Sequence, residues 1–426
     1  MKRVFRHRMF RGGALVVGAT LAWHLSNFAF NSIAARILGP TSYGTLAAIV
    51  ALIYVASPVF VSVQTVASRI TTGLWVRGEG ARIGVLARYY GLRLFLVGLA
   101  AGAAWALASS AIARFLRIPS GAPVALLGLS FALAAVTHLQ RGILQGALRF
   151  GRYAVSTLAE AAMKLILTVT FLLVLWKSVD AAVLAVVGGT FAGLLVNLAL
   201  LRFLPARDEP LERIAHPYRY SLATLASLVL LSALLSIDVL AGKRYLDPHE
   251  AGLYASISIT GKLVFFATSA LTQYLFPVFS ERQERGLDAR RHLVLALLPI
   301  FAVSSVLIGI YFLAPGVVLT PLFGSQYSSA GPYLGWIGIA GAAYAVVYLT
   351  AMYLLSQKNP FGVVTLTCAV LAQLAGLYAF HGSLGPIVGV DVFVFVTAAF
   401  TLVVGALTAP RYALSRAVEE ALPGPA

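Results

Sequence analysis

Arg36-Ile37-Leu38-Gly39-Pro40-Thr41-Ser42-Tyr43-Gly44 and Arg244-Tyr245-Leu246-Asp247-Pro248-His249-Glu250-Ala251-Gly252 share the pattern Arg-x-Leu-x-Pro-x-x-x-Gly, about half the chain apart. Each copy joins the first two long apolar runs of its half. Proline just past an apolar helix stops it, and glycine lets the next helix begin close against a neighbour. The shared topological position predicts an internal duplication; the alternative is a generic turn used twice.

The runs on either side decide the solvent. They are continuous and about 20 residues long, the length of a membrane-spanning helix, whereas barrel strands alternate over about 10 residues. Hydrophobic residues make up 60% of the chain and charged residues 11%, too few charges to cover a water-soluble surface. In lipid each backbone polar group needs an internal partner, which selects helices. Spans are expected near 12–35, 44–67, 91–113, 122–141, 154–176, 181–201, 219–241, 251–276, 293–314, 331–355, 361–380 and 386–408. The basic stretch Met1 to Arg11 precedes the first of these, which reads as an uncleaved span and insertion signal. The fold class is therefore an all-α polytopic membrane protein. About twelve helices form two six-helix lobes, 1–205 and 219–426, joined by a Pro- and charge-rich linker at 206–218. Six is even, so the lobes enter from the same side and are related by a pseudo-two-fold along the membrane normal, with a substrate path between them.

The net charge is +17. Basic residues crowd onto alternate loops, at Lys2 to Arg11, Arg69 to Arg93, Arg202 to Arg219 and Arg282 to Arg291. The intervening loops carry Arg36, Arg114, Arg117, Lys177, Lys243 and Arg244. This asymmetry places both termini in the cytoplasm. It accounts for the charge through an anionic leaflet, with no call for nucleic acid. Leu74 to Tyr90 is basic and amphipathic enough to lie along that surface. The single cysteine, Cys368, excludes an internal disulfide framework and a thiolate metal site.

Ionisable residues in mid-span normally face a cavity or a partner. Glu160 and Lys164 stand at i,i+4 on the fifth span, where they can neutralise each other or serve an ion-coupling site. Asp238 and Lys262 lie on the seventh and eighth spans and either pair across the helix interface or line the path. Asp391, early in the last span, has no evident partner. Asn27 and Asn31, with His24 one turn earlier and Arg36 beyond, form a polar stripe on the first span; it is either interhelical glue or a wet cavity wall.

Three groups of residues carry a resemblance to a known family. They are Asn31 through Gly44; Asp238 with Ala251-Gly252-Leu253-Tyr254, Lys262 and Phe276-Pro277-Val278-Phe279-Ser280; and Leu322-Phe323-Gly324 with Tyr327, Ala330 and Tyr333. In order and spacing over essentially the whole chain, the sequence resembles the polysaccharide transporter (oligosaccharide flippase) family of the multidrug/oligosaccharidyl-lipid/polysaccharide exporter superfamily. The resemblance implies a twelve-helix, two-lobe fold. It also implies export of polyprenyl-pyrophosphate-linked glycans across the inner membrane for surface polysaccharide. Asp238 and Lys262 match that family's intramembrane polar positions; Glu160 and Lys164 do not.

The expected cargo is a lipid-linked oligosaccharide, whose polar head cannot cross hydrocarbon unaided. Arg36, Lys262, Arg69 and Arg244 are the cations expected at its pyrophosphate, Asn27 and Asn31 the amides for its sugar hydroxyls, and Asp238 the ion-coupling or salt-bridge group. Membrane lipids and polysaccharide assembly proteins are the other expected partners, and no cofactor is expected. A multidrug and toxin extrusion-type antiporter is the alternative; its cationic cargo would favour acidic cavity residues, whereas Lys164, Lys262 and Arg36 disfavour it. A membrane polymerase or glycosyltransferase is disfavoured by short outer loops with only Asp180, Asp247 and Glu250 as acids, and by the lack of any Asp-x-Asp pair.

Overall fold

The computed structural model describes residues 2–204, 218–284 and 288–408, and nearly all of this backbone is helical. Among the described residues, eleven stretches are long and apolar enough to cross a membrane. The first of them, Leu15–Val76, holds 62 residues, about 93 Å at 1.5 Å per residue, roughly three hydrocarbon thicknesses. It bends at Gly39, whose φ of 76° and ψ of 168° are not helical. Only glycine takes that conformation at low cost, and Pro40 then starts the next helix with its φ already set. Counted as two, it completes twelve spans: α1 (2–38), α2 (40–76), α3 (Gly80–Phe115), α4 (Ala122–Gly146), α5 (Phe150–Leu175) and α6 (Val179–Leu200). The second half has α7 (Tyr218–Leu234, resumed at Ile237–Tyr245), α8 (Pro248–Glu284), α9 (Arg290–Leu313), α10 (Gly331–Ser356), α11 (Phe361–Ala379) and α12 (Leu384–Thr408). A short helix, Pro315–Phe323, and a 3-10 turn, Ser325–Ala330, lead from α9 into α10. The linker expected at 206–218 lies outside the described residues except at its last position.

Each half is a bundle. The α1–α2 pair packs on α4 and α5, α3 on α4, and α5 on α6; α10 packs on α8, α9 and α12, and α7 on α11. Apolar side chains such as Leu107, Leu313, Phe393 and Phe400 stay exposed on the outer faces, where lipid solvates them. The surface segment expected at Leu74 to Tyr90 is corrected. Helix α2 runs to Val76, and after a turn held by Glu79 accepting from Arg77 and Arg82, α3 starts at Gly80 without a break. Ile83 and Leu86 of that stretch are buried against Leu139 and Ile143, so its apolar face packs on α4 rather than on headgroups.

The two Arg-x-Leu-x-Pro turns lie at the same end of the bundle, and there the halves meet. A Cβ placed on Gly252 would lie 1.9 Å from Pro40 O, and one on Gly44 would lie 2.8 Å from Gly252 N. The repeated glycine thus lets α2 and α8 touch backbone to backbone where the two halves meet. In the second copy Asp247 Oδ1 also accepts from the N–H groups of His249 and Glu250, at 2.8 and 3.1 Å, capping the start of α8. Hydrogen bonds that join the halves cluster at this motif face. Tyr327 Oη donates to Ala35 O at 3.0 Å, Arg36 to Thr320 O at 2.9 Å, and Ser32 Oγ to Leu322 O.

Candidate functional site

Helix α7 breaks between Leu234 and Ile237, and the break organises the second half. A freed carbonyl inside a bilayer needs a side-chain donor; Gln373 Nε2 supplies one to Leu234 O at 3.2 Å. Past the break, Asp238 is buried and faces α8. There Tyr254, Ser258 and Lys262 recur every four residues, one face of a helix. Tyr254 Oη donates at 3.0 Å and Ser258 Oγ at 2.6 Å to Asp238 Oδ2, and Lys262 Nζ reaches the same atom at 3.1 Å. Tyr254 Oη also lies 2.5 Å from Asp391 Oδ2 on α12, whose Oδ1 accepts from Gln373 Nε2 at 2.9 Å. Two carboxyl groups here face one ammonium, and the Tyr254 hydroxyl has a single hydrogen for both acids.

The first half holds a cluster of the opposite balance. Arg141 on α4 is buried, pairs with Glu160 at 2.6 Å and donates to Ser156 Oγ at 3.0 Å and Ser156 O at 3.1 Å. Lys164 Nζ donates to Asn27 Oδ1 instead. Asn31 Nδ2 donates to Asn27 O at 2.8 Å, and Tyr43 Oη to Asn31 Oδ1 at 3.2 Å. The expected Glu160–Lys164 couple is therefore corrected: the guanidinium of Arg141, at the end of the fourth expected span, reaches the carboxylate from the neighbouring helix in a charge-assisted hydrogen bond.

Between the clusters lies a small, partly open cavity of about 30 Å³, room for about two water molecules. Asn31, Tyr43 and Tyr54 face it from the first half, and Ser236, Lys262 and Phe266 from the second. Of the cations expected around one cavity, Lys262 alone lines this one. Arg36 is spent on Thr320 O at the motif face. Arg244 lies over the Phe115 ring, 5.5 Å from its centre. Arg69 is exposed on α2. These corrections share a cause. Arg36 and Arg244 flank the turns where the halves close, so backbone and ring contacts of the opposite half take up their charge. The wall is accordingly mostly apolar, with Ala47, Val50, Val239 and Ile259 among its aliphatic residues, a few amide and hydroxyl groups, and one cation that already has a carboxylate partner, in place of the net-cationic crevice expected from sequence.

Sequence reasoning gave Tyr254, Asp391, Gln373 and Arg141 no role in the site, although Asp391 stood out as a mid-span acid without an evident partner. The four-residue recurrence of Tyr254, Ser258 and Lys262 carried a signal for the first, since it put three donors on the face opposite Asp238. The partners of Asp391 and Gln373 have no local signal, because they depend on how α11 and α12 fold back onto α7.

Comparison with known proteins agrees with this architecture. No curated protein matches the chain. A multidrug resistance MATE family transporter of the MOP superfamily in an inward-facing conformation superposes with a TM-score of 0.73 at 12% identity, over 93% of this chain and 96% of that one. The eukaryotic MATE transporter AtDTX14 gives 0.65 at 14% identity, over 97% and 98%. A MOP superfamily transporter from Pyrococcus furiosus, described as having a binding pocket of reverse polarity, gives 0.63 at 14% identity, over 93% and 94%. These likenesses establish the fold. The family model described as "Polysaccharide biosynthesis protein" matches residues 84–332, more than half of the sequence, and the chain belongs to that family of polytopic membrane proteins.

Proposed function

We propose that the protein is a flippase that carries a lipid-linked oligosaccharide, its polyprenyl pyrophosphate included, from the cytoplasmic to the outer leaflet. The observation that carries the reading is the interlobe cavity. Its Asn31, Tyr43, Tyr54 and Ser236 suit sugar hydroxyls, Lys262 suits a phosphate oxygen, and it is closed at the motif face. The motif face is the outer one, both termini are cytoplasmic, and the membrane is the inner membrane, following the excess of Lys and Arg on the opposite loops. The lobes 1–205 and 219–426 rock about the linker 206–218, and the lipid tail stays in the bilayer throughout. Asp238 is the coupling group. Its cluster, two carboxyl groups facing one ammonium, takes up and releases a proton or cation as Lys262 exchanges Asp238 for the cargo phosphate. Polysaccharide assembly proteins would receive the flipped glycan.

The test is translocation of a fluorescent lipid-linked glycan in proteoliposomes. Lys262→Ala removes one charge-assisted contact, about 1.5–3 kcal/mol, and is expected to slow flipping at least about tenfold. Asn31→Ala is expected to slow it less, since it removes neutral hydrogen bonds. Export of amphipathic cations by the wild type with no movement of the glycan would replace this reading with that of a MATE-type antiporter.

A further inference from the structure

The first half holds a cation that the reading above leaves without a task. Lys164 is buried at 6% relative exposure, and its ammonium donates to Asn27 Oδ1. Among the described residues no carboxylate comes within ion-pairing distance of it. Glu160, one turn earlier, is held by Arg141 at 2.6 Å. The faces of Trp23 and Phe30 also lie near the ammonium, with ring centres 5.7 and 5.5 Å from Nζ. An ammonium has three hydrogens to donate, and a buried charge is stable only when paired.

Two neighbouring polar atoms are in the same position. Asn27 Nδ2 and His24 Nδ1 are both buried without a hydrogen-bond partner among the described residues. Both residues belong to one face of α1, and that face borders the cavity. The His24 ring stacks on Phe266, a cavity wall residue, at 4.7 Å between centres. Asn31, another wall residue, donates to Asn27 O at 2.8 Å. An ammonium and an amide group thus meet beside the cavity, with an imidazole nitrogen one turn earlier on the same face of α1, and none of the three has an anion as hydrogen-bond partner among the described residues. That is the complement of an anion with several acceptor oxygens.

We propose that Lys164, Asn27 and His24 form a phosphate subsite, entered from the interlobe cavity, that holds the phosphate of the cargo during transport; the cargo assignment rests on the flippase reading. In this arrangement the cavity hydroxyls hold the sugar, Lys262 reaches one phosphate oxygen from the C-terminal half, and Lys164 holds the larger share of the charge from the N-terminal half. The N-terminal half carries the excess cation and the C-terminal half the excess carboxyl group, so anion binding and ion exchange are divided between the lobes.

The experiment measures radiolabelled inorganic pyrophosphate binding to the full chain in phosphatidylcholine nanodiscs. Lys164→Met is expected to weaken binding at least tenfold, Lys164→Arg to keep it within about threefold, and Lys262→Met to change it less than Lys164→Met does. Asn27→Asp places an internal anion against Lys164 with almost no change of shape, and is expected to abolish binding in a folded protein even if Lys164→Met does not fold. Wild-type affinity in Asn27→Asp, or in a folded Lys164→Met, would overturn the subsite. Nanodiscs containing phosphatidylglycerol separate the two sources of phosphate: loss of pyrophosphate binding there would assign the site to bilayer lipid and overturn the cargo assignment. Lys164-dependent binding without any glycan flipping in proteoliposomes would sustain the anion site while removing the flippase reading. Normal flipping with binding indifferent to Lys164 would do the reverse.

Discussion

Replacing Gly252 with valine is expected to abolish flipping and to hold the two halves apart at the motif face. The Cβ of any side chain at this position would lie 1.9 Å from Pro40 O, 2.4 Å from Pro40 C and 2.7 Å from Pro40 Cα. All three are backbone atoms of a turn already fixed by Gly39 and proline, so no rotamer change relieves the overlap. The closed arrangement must give way, and the cavity then opens towards the motif face. Carrying a two-state equilibrium from 1:99 to 99:1 takes about 5.5 kcal/mol, which an unrelieved backbone clash exceeds. Spin labels at Lys177→Cys and Ser383→Cys, exposed on the motif-side loops of opposite halves, would read the change once the native Cys368 is replaced by serine. The interspin distance should lengthen in Gly252→Val and the protein should still elute as a folded species. Arg36→Ala is the smaller relative of the same experiment. It removes one exposed hydrogen bond to Thr320 O, worth about 0.5–1.5 kcal/mol, and should broaden the distance distribution without trapping one state. A Gly252→Val protein with an unchanged distance and normal flipping would show that these turns do not gate the cavity.

The same pair of turns shows how far the sequence could be read. Apolar run length gave the number of spans, because lipid leaves an exposed backbone no alternative to the helix. The Arg-x-Leu-x-Pro-x-x-x-Gly repeat located the equivalent turns of the two halves. What it could not give was their mutual contact: a glycine that starts a helix tightly and a glycine that touches the opposite half look alike in one dimension. Charged residues were legible as a set and illegible as pairs. Glu160 and Lys164 have the spacing of a self-neutralising couple, yet an arginine from the adjacent helix takes the carboxylate and an asparagine takes the ammonium. Asp238 and Lys262 were the converse case. Both lie on consecutive helices packed side by side, so sequence proximity and spatial proximity agreed. Arg36 and Arg244 were read by charge alone, whereas their position beside the closing turns decides what they touch.

The second large effect is expected at Arg141. Its guanidinium and the Glu160 carboxylate are both largely removed from solvent, with side-chain exposures of 7% and 16%. Breaking such a pair leaves one charge buried alone, which costs about 3–5 kcal/mol, whereas replacing both partners by apolar residues of similar volume is often near neutral. Arg141→Leu should therefore lower stability by about that amount, and Arg141→Leu with Glu160→Leu should recover most of it. Both are read from unfolding of the detergent-solubilised protein. The cycle also decides what the pair is for. If Glu160 exchanged ions during transport, the double variant would be stable but inactive. If it is scaffolding that keeps a carboxylate away from Lys164, the double variant should still flip the glycan, because Lys164 then remains without a competing anion. The second outcome follows from the geometry, since Arg141 also fastens Ser156 through two hydrogen bonds and so fixes α5 against α4. Glu160→Leu alone should be the more informative single change. It strands Arg141 and costs stability, yet it leaves the environment of Lys164 more positive, so pyrophosphate binding should hold or tighten even as the protein becomes less stable.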